Sequence, residues 1–418
     1  MARLKFALRT LLKTPSVTMI AIISLALGIG STTAIFSLFN QMLMKPLPVP
    51  EPDRLVNLEA PGPKPGSQSC NGAGDCDVVF SYTMFRDLEK QQTAFTGIAA
   101  HRTFGANLAY HGQTTSGEGM LVSGSYFDVL ALKPALGRLI GPGDDRALGE
   151  SPVVVLSHDY WRTRFSGSPS VLNEVMIVNG ISMTIIGVAP AGFDGTTLGE
   201  MPQIYVPITM RGFTEQSPKS FEDRRNYWAY LFARLKPGVS IEQARTAINV
   251  LYHAIVNDVE APLQTGMSQQ TMERFKAKKV TLEPGYRGQS ALHKDSETPL
   301  LVLLAVTVVV LLIACANIAN LLLARAAART GEMAVRLSIG ASRKNLIIQL
   351  MTESCLLAVL GGLAGLIVAR WTIDLVVSLL PDDASMVLKF QLDWPVLFFV
   401  AAVTLGTGIV LGLFPALH

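Results

Sequence analysis

Side chains that could do chemistry are few in this sequence, and they are scattered. His101, His111, His158, His253 and His293 show no metal-ligand spacing of the HExxH kind. No GxSxG nucleophile elbow and no GxxxxGK[ST] phosphate loop occurs, so acyl transfer and nucleotide hydrolysis have no recognisable seat. The acids of GFDGTTLGE (192–200) lack the spacing of a calcium loop, and the segment reads as a turn between strands. Cys70 and Cys76 lie in APGPKPGSQSCNGAGDC (60–76), whose glycines and prolines mark a surface loop. A small disulfide loop is expected there if the compartment is oxidising, and metal binding by the pair is disfavoured because no histidine lies nearby. Cys315 and Cys355 fall in apolar runs and read as packing residues. The expectation is a chain with no catalytic residue, bound metal or cofactor.

The stretch with most to say is RAAARTGEMAVRLSIGASRK, Arg325 to Lys344. Glu332 and Arg336 stand four apart, an order that supports a helix. Met333, Arg336, Leu337 and Gly340 share one face of it, and Gly340 can end it. Two readings stay open from the residues alone. One is a basic amphipathic helix resting on lipid headgroups; the other is a docking helix for a cytoplasmic partner.

The elements that would carry these groups follow from polarity. Of the 418 residues 49% are hydrophobic and 16% charged, against roughly 25% charged in soluble domains. A net charge of +3 gives no case for nucleic acid. Apolar runs long enough to span a bilayer occur at 17–44, 299–323, 346–369 (interrupted only by Glu353 near its start) and 394–416. The first is too long for a signal-peptide core and has no clear cleavage site, so it reads as an uncleaved helix. The fold class is therefore a membrane protein with four transmembrane α-helices. A large α/β (α+β) extracytoplasmic domain, residues 45–298, is inserted between helices 1 and 2.

Basic residues set the orientation. Arg3, Lys5, Arg9 and Lys13 lie in the tail 1–16, and Arg325, Arg329, Arg336, Arg343 and Lys344 in the loop 324–345. The loop 370–393 instead carries Asp374, Asp382, Asp383 and Asp393, with Lys389 and the border residue Arg370. The positive-inside rule puts tail and basic loop in the cytoplasm and residues 45–298 outside. No ionisable residue sits at mid-membrane, unlike an ion-coupled carrier. Asn317 and Asn320 read as interhelical hydrogen-bonding residues, and Glu353 as a residue near the cytoplasmic end. GIGSTTA (28–34) and GGLAG (361–365) permit close helix approach, within the subunit or between subunits.

In the outer domain, strands are expected at Arg54–Leu58, Pro152–Leu156, Val175–Val178, Met183–Val188, Ile204–Pro207 and Tyr230–Leu235. Helices are expected at Tyr82–Gln91 behind a Ser81 cap, at Asp159–Phe165, and at Ile241–Asn257 with a Ser240/Gln243 capping box. VNG at 178–180 reads as a tight hairpin turn.

The sequence also resembles the FtsX/MacB family of ABC-transporter permeases. TGEMAVRLSIGASRKNLIIQLMTESCLLAVLGGLAG is similar to that family's cytoplasmic loop and third span. VSGSYFDVLALKPALGR, PVVVLSHDYWRTRF, VNGISMTIIGVAPAGF and ARLKPGVSIEQA resemble the MacB periplasmic core, and the N-terminal segment resembles the first span. The similarity covers essentially the whole chain and is closest to long bacterial permeases in which this unit occurs twice. Because the chain stops at GLFPALH, a fragment or truncated product is expected.

The resemblance implies mechanotransmission in the inner membrane: a separate cytoplasmic ABC ATPase subunit pushes on the loop, and the movement reaches the outer domain. It makes Glu332, Met333, Arg336, Leu337 and Gly340 the docking residues. It also implies a homodimer or pseudo-dimer in membrane lipid, with a periplasmic partner and a peptide, drug or lipoprotein substrate. The alternative is a non-transporting regulatory protein whose outer domain activates a periplasmic partner.

Overall fold

The computed structural model describes residues 11–12, 15–214, 221–327, 343–378 and 393–417. Helix α1, Pro15–Phe39, continues as a π-turn through Asn40–Met44. Its polar residues satisfy themselves: the hydroxyls of Thr32 and Thr33 donate to the carbonyls of Gly28 at 2.8 Å and Ile29 at 2.6 Å. In lipid an unmet donor would cost several kcal/mol, so such self-bonding suits a spanning helix.

Next come β1 (Leu55–Glu59), β2 (Ser67–Gln68), β3 (Phe80–Ser81), α2 (Tyr82–Gln91), β4 (Phe95–Tyr110) and β5 (Gln113–Val122). After a short turn of helix follow β6 (Leu136–Gly137), β7 (Val153–Leu156), α3 (His158–Arg164), β8 (Val175–Val178), β9 (Ile181–Val188) and β10 (Ile204–Pro207). The domain closes with β11 (Asn226–Leu235), α4 (Ile241–Ala254), α5 (Gln269–Lys276) and β12 (Thr281–Pro284). Among the described residues the further long helices are α6 (Ala291–Ala327), α7 (Arg343–Ser378) and α8 (Trp394–Leu417). The chain divides into two units, Met1–Met44 with Asp295–His418, and Lys45–Lys294.

Within Lys45–Lys294 one 12-stranded sheet serves two subdomains. The order β12-β1-β11-β4 is antiparallel throughout. With α2 after β1 and α4 after β11, this is the split βαββαβ arrangement. The second subdomain is inserted after β4, whose outer half pairs with β5 from His101↔Val122 to Tyr110↔Gln113. From β5 the pairing runs to β10, β7, β9 and β8, and β8 returns to β4 through Leu108↔Val178. That circuit closes on itself, which protects strand edges as a barrel does.

Local chemistry explains the caps. Ser81, Ser157 and Ser240 each accept an amide at the start of α2, α3 and α4, and Gln243 completes the capping box of α4. Asn179 and Gly180 both take positive φ, +48° and +84°, as a two-residue hairpin turn between β8 and β9 requires. The expected Ile241–Asn257 helix instead ends at Ala254 and gives way to a π-turn over Ile255–Glu260.

In the helical unit α1 packs on α7 and α7 on α8. A side chain added at Gly30 would lie 2.8 Å from the Gly365 carbonyl oxygen, so the two glycine runs meet at backbone distance inside the subunit. Helix α6 begins at Ala291, ahead of its apolar run, and contains Pro299. Among its residues Leu311, Cys315, Ile318 and Ala319 are buried, whereas Asn317 and Asn320 are exposed.

Among the described residues four helices, Pro15–Met44, Ala291–Ala324, Met351–Ser378 and Trp394–Leu413, are long and apolar enough to cross a membrane.

Candidate functional site

The chain enters the outer domain after Met44 and leaves it at α6, and these two segments are bonded together. The amide of Leu47 donates to the carbonyl of Tyr286 at 2.8 Å. The outgoing segment is then fixed residue by residue. Gly285 donates to the Leu55 carbonyl at 2.7 Å, and Gln289 donates to the Thr196 carbonyl at 2.8 Å. The side-chain amide of Asn57, on β1, donates to the Gly288 carbonyl at 2.8 Å. Gly288 sits at φ +82°, and an added Cβ would stand 2.2 Å from the Thr196 carbonyl oxygen. Only glycine fits both that backbone and that approach.

Gln289 is the keystone. Its side-chain nitrogen donates to the Leu231 carbonyl on β11 at 2.9 Å, so its oxygen faces His101 on β4. The His101 Nε2 lies 2.8 Å from that oxygen and is therefore the protonated nitrogen. His101 is fully buried, with Tyr126, Tyr230 and Phe232 packed around its ring. Burial pushes its pKa down to about 4, partly offset by the Gln289 hydrogen bond, so the ring is neutral at neutral pH. The Tyr126 and Thr196 hydroxyls meet at 2.9 Å beside it. The arrangement is a set of buried hydrogen bonds. It makes the last residues before α6 part of the sheet.

Cys70 and Cys76 are joined as a disulfide with their Cα atoms 5.1 Å apart. Glu332, Met333, Arg336, Leu337 and Gly340 lie outside the described residues. Glu353 is half-buried on α7. Among the described residues no group of His, Cys, Asp and Glu could hold a metal ion. Sequence reading missed His101 and Gln289. They are 188 residues apart, and their only local signal was an apolar run around an isolated histidine.

The fold, with the bonded segments before β1 and before α6 forming the root of the α/β domain, defines a multi-pass membrane protein with that large domain carried between its first two spans. Residues 18–251 match the MacB-like periplasmic core domain and residues 304–418 the FtsX-like permease C-terminal domain. The chain belongs to the MacB/FtsX-like family of ABC-transporter permeases.

The macrolide export ATP-binding/permease protein MacB 1/2 of Paracoccus denitrificans is 24% identical over 249 residues, 59% of this chain and 33% of that protein. Its namesake MacB in Bradyrhizobium diazoefficiens is 24% identical over 332 residues, 78% of this chain and 45% of that protein. The periplasmic region of MacB from Actinobacillus actinomycetemcomitans aligns at a TM-score of 0.39 with 12% identity, covering 60% of this chain and 94% of that one. The chain thus spans about a third to a half of the length of the curated relatives it matches.

Proposed function

We propose that this chain is the permease subunit of an export system driven by a separate cytoplasmic ATPase, with movement rather than substrate passing along its spans. The reading is carried by α6. It runs without interruption from Ala291 to Ala327, and the residues just before it are built into the sheet by Gln289 and His101. A push at its far end, where the loop 324–345 follows in sequence, would reach a rigid attachment. Spans free of mid-membrane charge support the same reading, since they offer no polar path.

Glu332, Met333, Arg336, Leu337 and Gly340 are the docking residues in this scheme. The tail and that loop face the cytoplasm, following their Lys and Arg content. Helix α6 supports a second copy as partner, because Asn317 and Asn320 lie exposed on an otherwise apolar surface. Amides at that depth gain from a partner across a helix interface.

The test is a mild-detergent pull-down of the full chain from its native cells. Recovery of an ABC ATPase, lost on Glu332→Lys or Gly340→Trp, supports docking. If no ATPase is recovered from any preparation, the transport reading has no energy source and the outer domain becomes a regulatory module.

A further inference from the structure

Two loops that stand out in the sequence, 60–76 with its cysteine pair and GFDGTTLGE at 192–200, converge on the first residues of α6. The carbonyl of Gly72 accepts the amide of Ala291 at 2.9 Å. The carbonyl of Leu198 accepts the Ser290 hydroxyl at 2.9 Å, and the Ser290 oxygen accepts the amide of Leu292 at 3.2 Å. A helix leaves its first amides without internal partners. Here Ser290 supplies one acceptor, and a loop carbonyl from far away in sequence supplies the other.

The acceptor loop is held in place on several sides. The Asn71 side chain donates to the Thr103 carbonyl at 3.1 Å and to its hydroxyl at 2.6 Å. The Tyr230 hydroxyl accepts the Asn71 amide at 2.7 Å and donates to the Gly74 carbonyl at 2.8 Å. A side chain at Gly72 would lie 2.5 Å from Glu200 Oε1, so the loop lies close against the second loop. The Cys70–Cys76 disulfide closes the loop around these contacts. Cys70 is exposed and Cys76 half-buried, so a reductant in solvent can reach the bond.

We propose that the Cys70–Cys76 disulfide is a redox-set latch on the start of α6. Closed, it holds the Gly72 carbonyl on the Ala291 amide. A dithiol opens it by exchange: the S–S bond takes two electrons and two protons to give two thiols, and the dithiol becomes a disulfide. The loop then gains backbone freedom and releases the amide. The consequence for transport rests on the reading of α6 as the coupling element; the latch itself does not.

The test is residue-resolved hydrogen exchange on the full chain in lipid nanodiscs, oxidised and after dithiothreitol, beside Cys70→Ser/Cys76→Ser. Exchange at Ala291 is expected to rise at least tenfold on reduction. The double variant is expected to start fast and ignore dithiothreitol. Gln289, which donates to Thr196 and not to the disulfide loop, is expected to stay protected throughout.

Unchanged exchange at Ala291 with both thiols free to maleimide would overturn the latch. So would thiols that never become free, or Gln289 and Ala291 opening together, which would make the disulfide a general support of the domain. No ATPase is present in this measurement, so its failure and a failure of ATPase docking are read separately.

Discussion

The Gln289 side-chain oxygen meets His101 Nε2 at 2.8 Å, and through that bond the residues leading into α6 are joined to the centre of the outer-domain sheet. Both partners are buried, and neither could be exchanged alone without leaving a polar atom unmet. Gln289→Ala is expected to cost about 1–3 kcal/mol, the penalty of a buried donor without an acceptor. The double variant His101→Leu/Gln289→Leu is expected to cost less than the two single changes summed. Thermal denaturation of the full chain in detergent, arranged as a double-mutant cycle, checks both. Additive losses would mean the bond has no part in holding the root.

Acid stability should carry the signature of the same histidine. Its folded pKa of about 4 lies below the unfolded value near 6.5, so the unfolded chain binds the extra proton between them. His101 therefore contributes stability that is fully present above about pH 6.5 and is lost as pH falls towards 4.

Glu260 acts with the opposite sign. Burial raises its carboxyl to about 7, with Lys278 and Arg224 pulling the other way, so its cost to folding grows as pH rises from about 4.5 through 7. Melting curves against pH are expected to show a shallower acid slope in His101→Gln, the share from His293, whose pKa burial also lowers to about 4, remaining. In Glu260→Gln the gain over the unsubstituted chain should increase up to pH 8 and be absent at pH 4.

Gly30 offers a test inside the membrane. Its position opposite the Gly365 carbonyl and the Val368 side chain leaves no space for a side chain, whereas Gly406 has nothing within 4 Å. Gly30→Val is expected to destabilise the helical unit by about 1–3 kcal/mol through overpacking, and Gly406→Val to be near neutral. Detergent-dependent melting of the two variants makes the comparison. Equal behaviour would place the glycine run outside the packing seam.

Self-association should depend on Asn317 and Asn320. Replacing both with Leu is expected to lower the dimer fraction in nanodiscs, by single-molecule photobleaching, at least tenfold in association constant. An unchanged fraction would show that the exposed face of α6 is turned to lipid.

The spans were legible because lipid demands long apolar runs, and two capped helices because Ser81 and Ser240 leave local marks; the Ser157 cap of α3 came only from the structure. The hairpin β4–β5 left almost none. On β5 the first four residues, Gln113–Ser116, are all exposed and Gly117 and Gly119 follow, so no alternation marks that arm; the outer half of β4 does alternate, with Phe104, Ala106 and Leu108 buried and Gly105 and Asn107 exposed. The strand run expected at Tyr230–Leu235 begins earlier, at Asn226, because the Asn-Tyr-Trp-Ala stretch is buried on both sides and reads as no particular period. The root was invisible for another reason. Its partners at 47, 72, 101, 196 and 286–291 are far apart in sequence and come together only in the folded domain, several of them through backbone groups that carry no sequence signature.

The central claim is that a cytoplasmic push reaches the outer domain through α6. The most direct test is hydrogen exchange at residues 285–292 of the full chain with its ATPase in nanodiscs, nucleotide-free and with ATP trapped by a hydrolysis-deficient ATPase. Exchange at these amides is expected to change on ATP binding in the unsubstituted chain, and to stay constant in Gly340→Trp. Constant exchange in the unsubstituted chain, with ATPase and ATP both bound, would contradict transmission through α6.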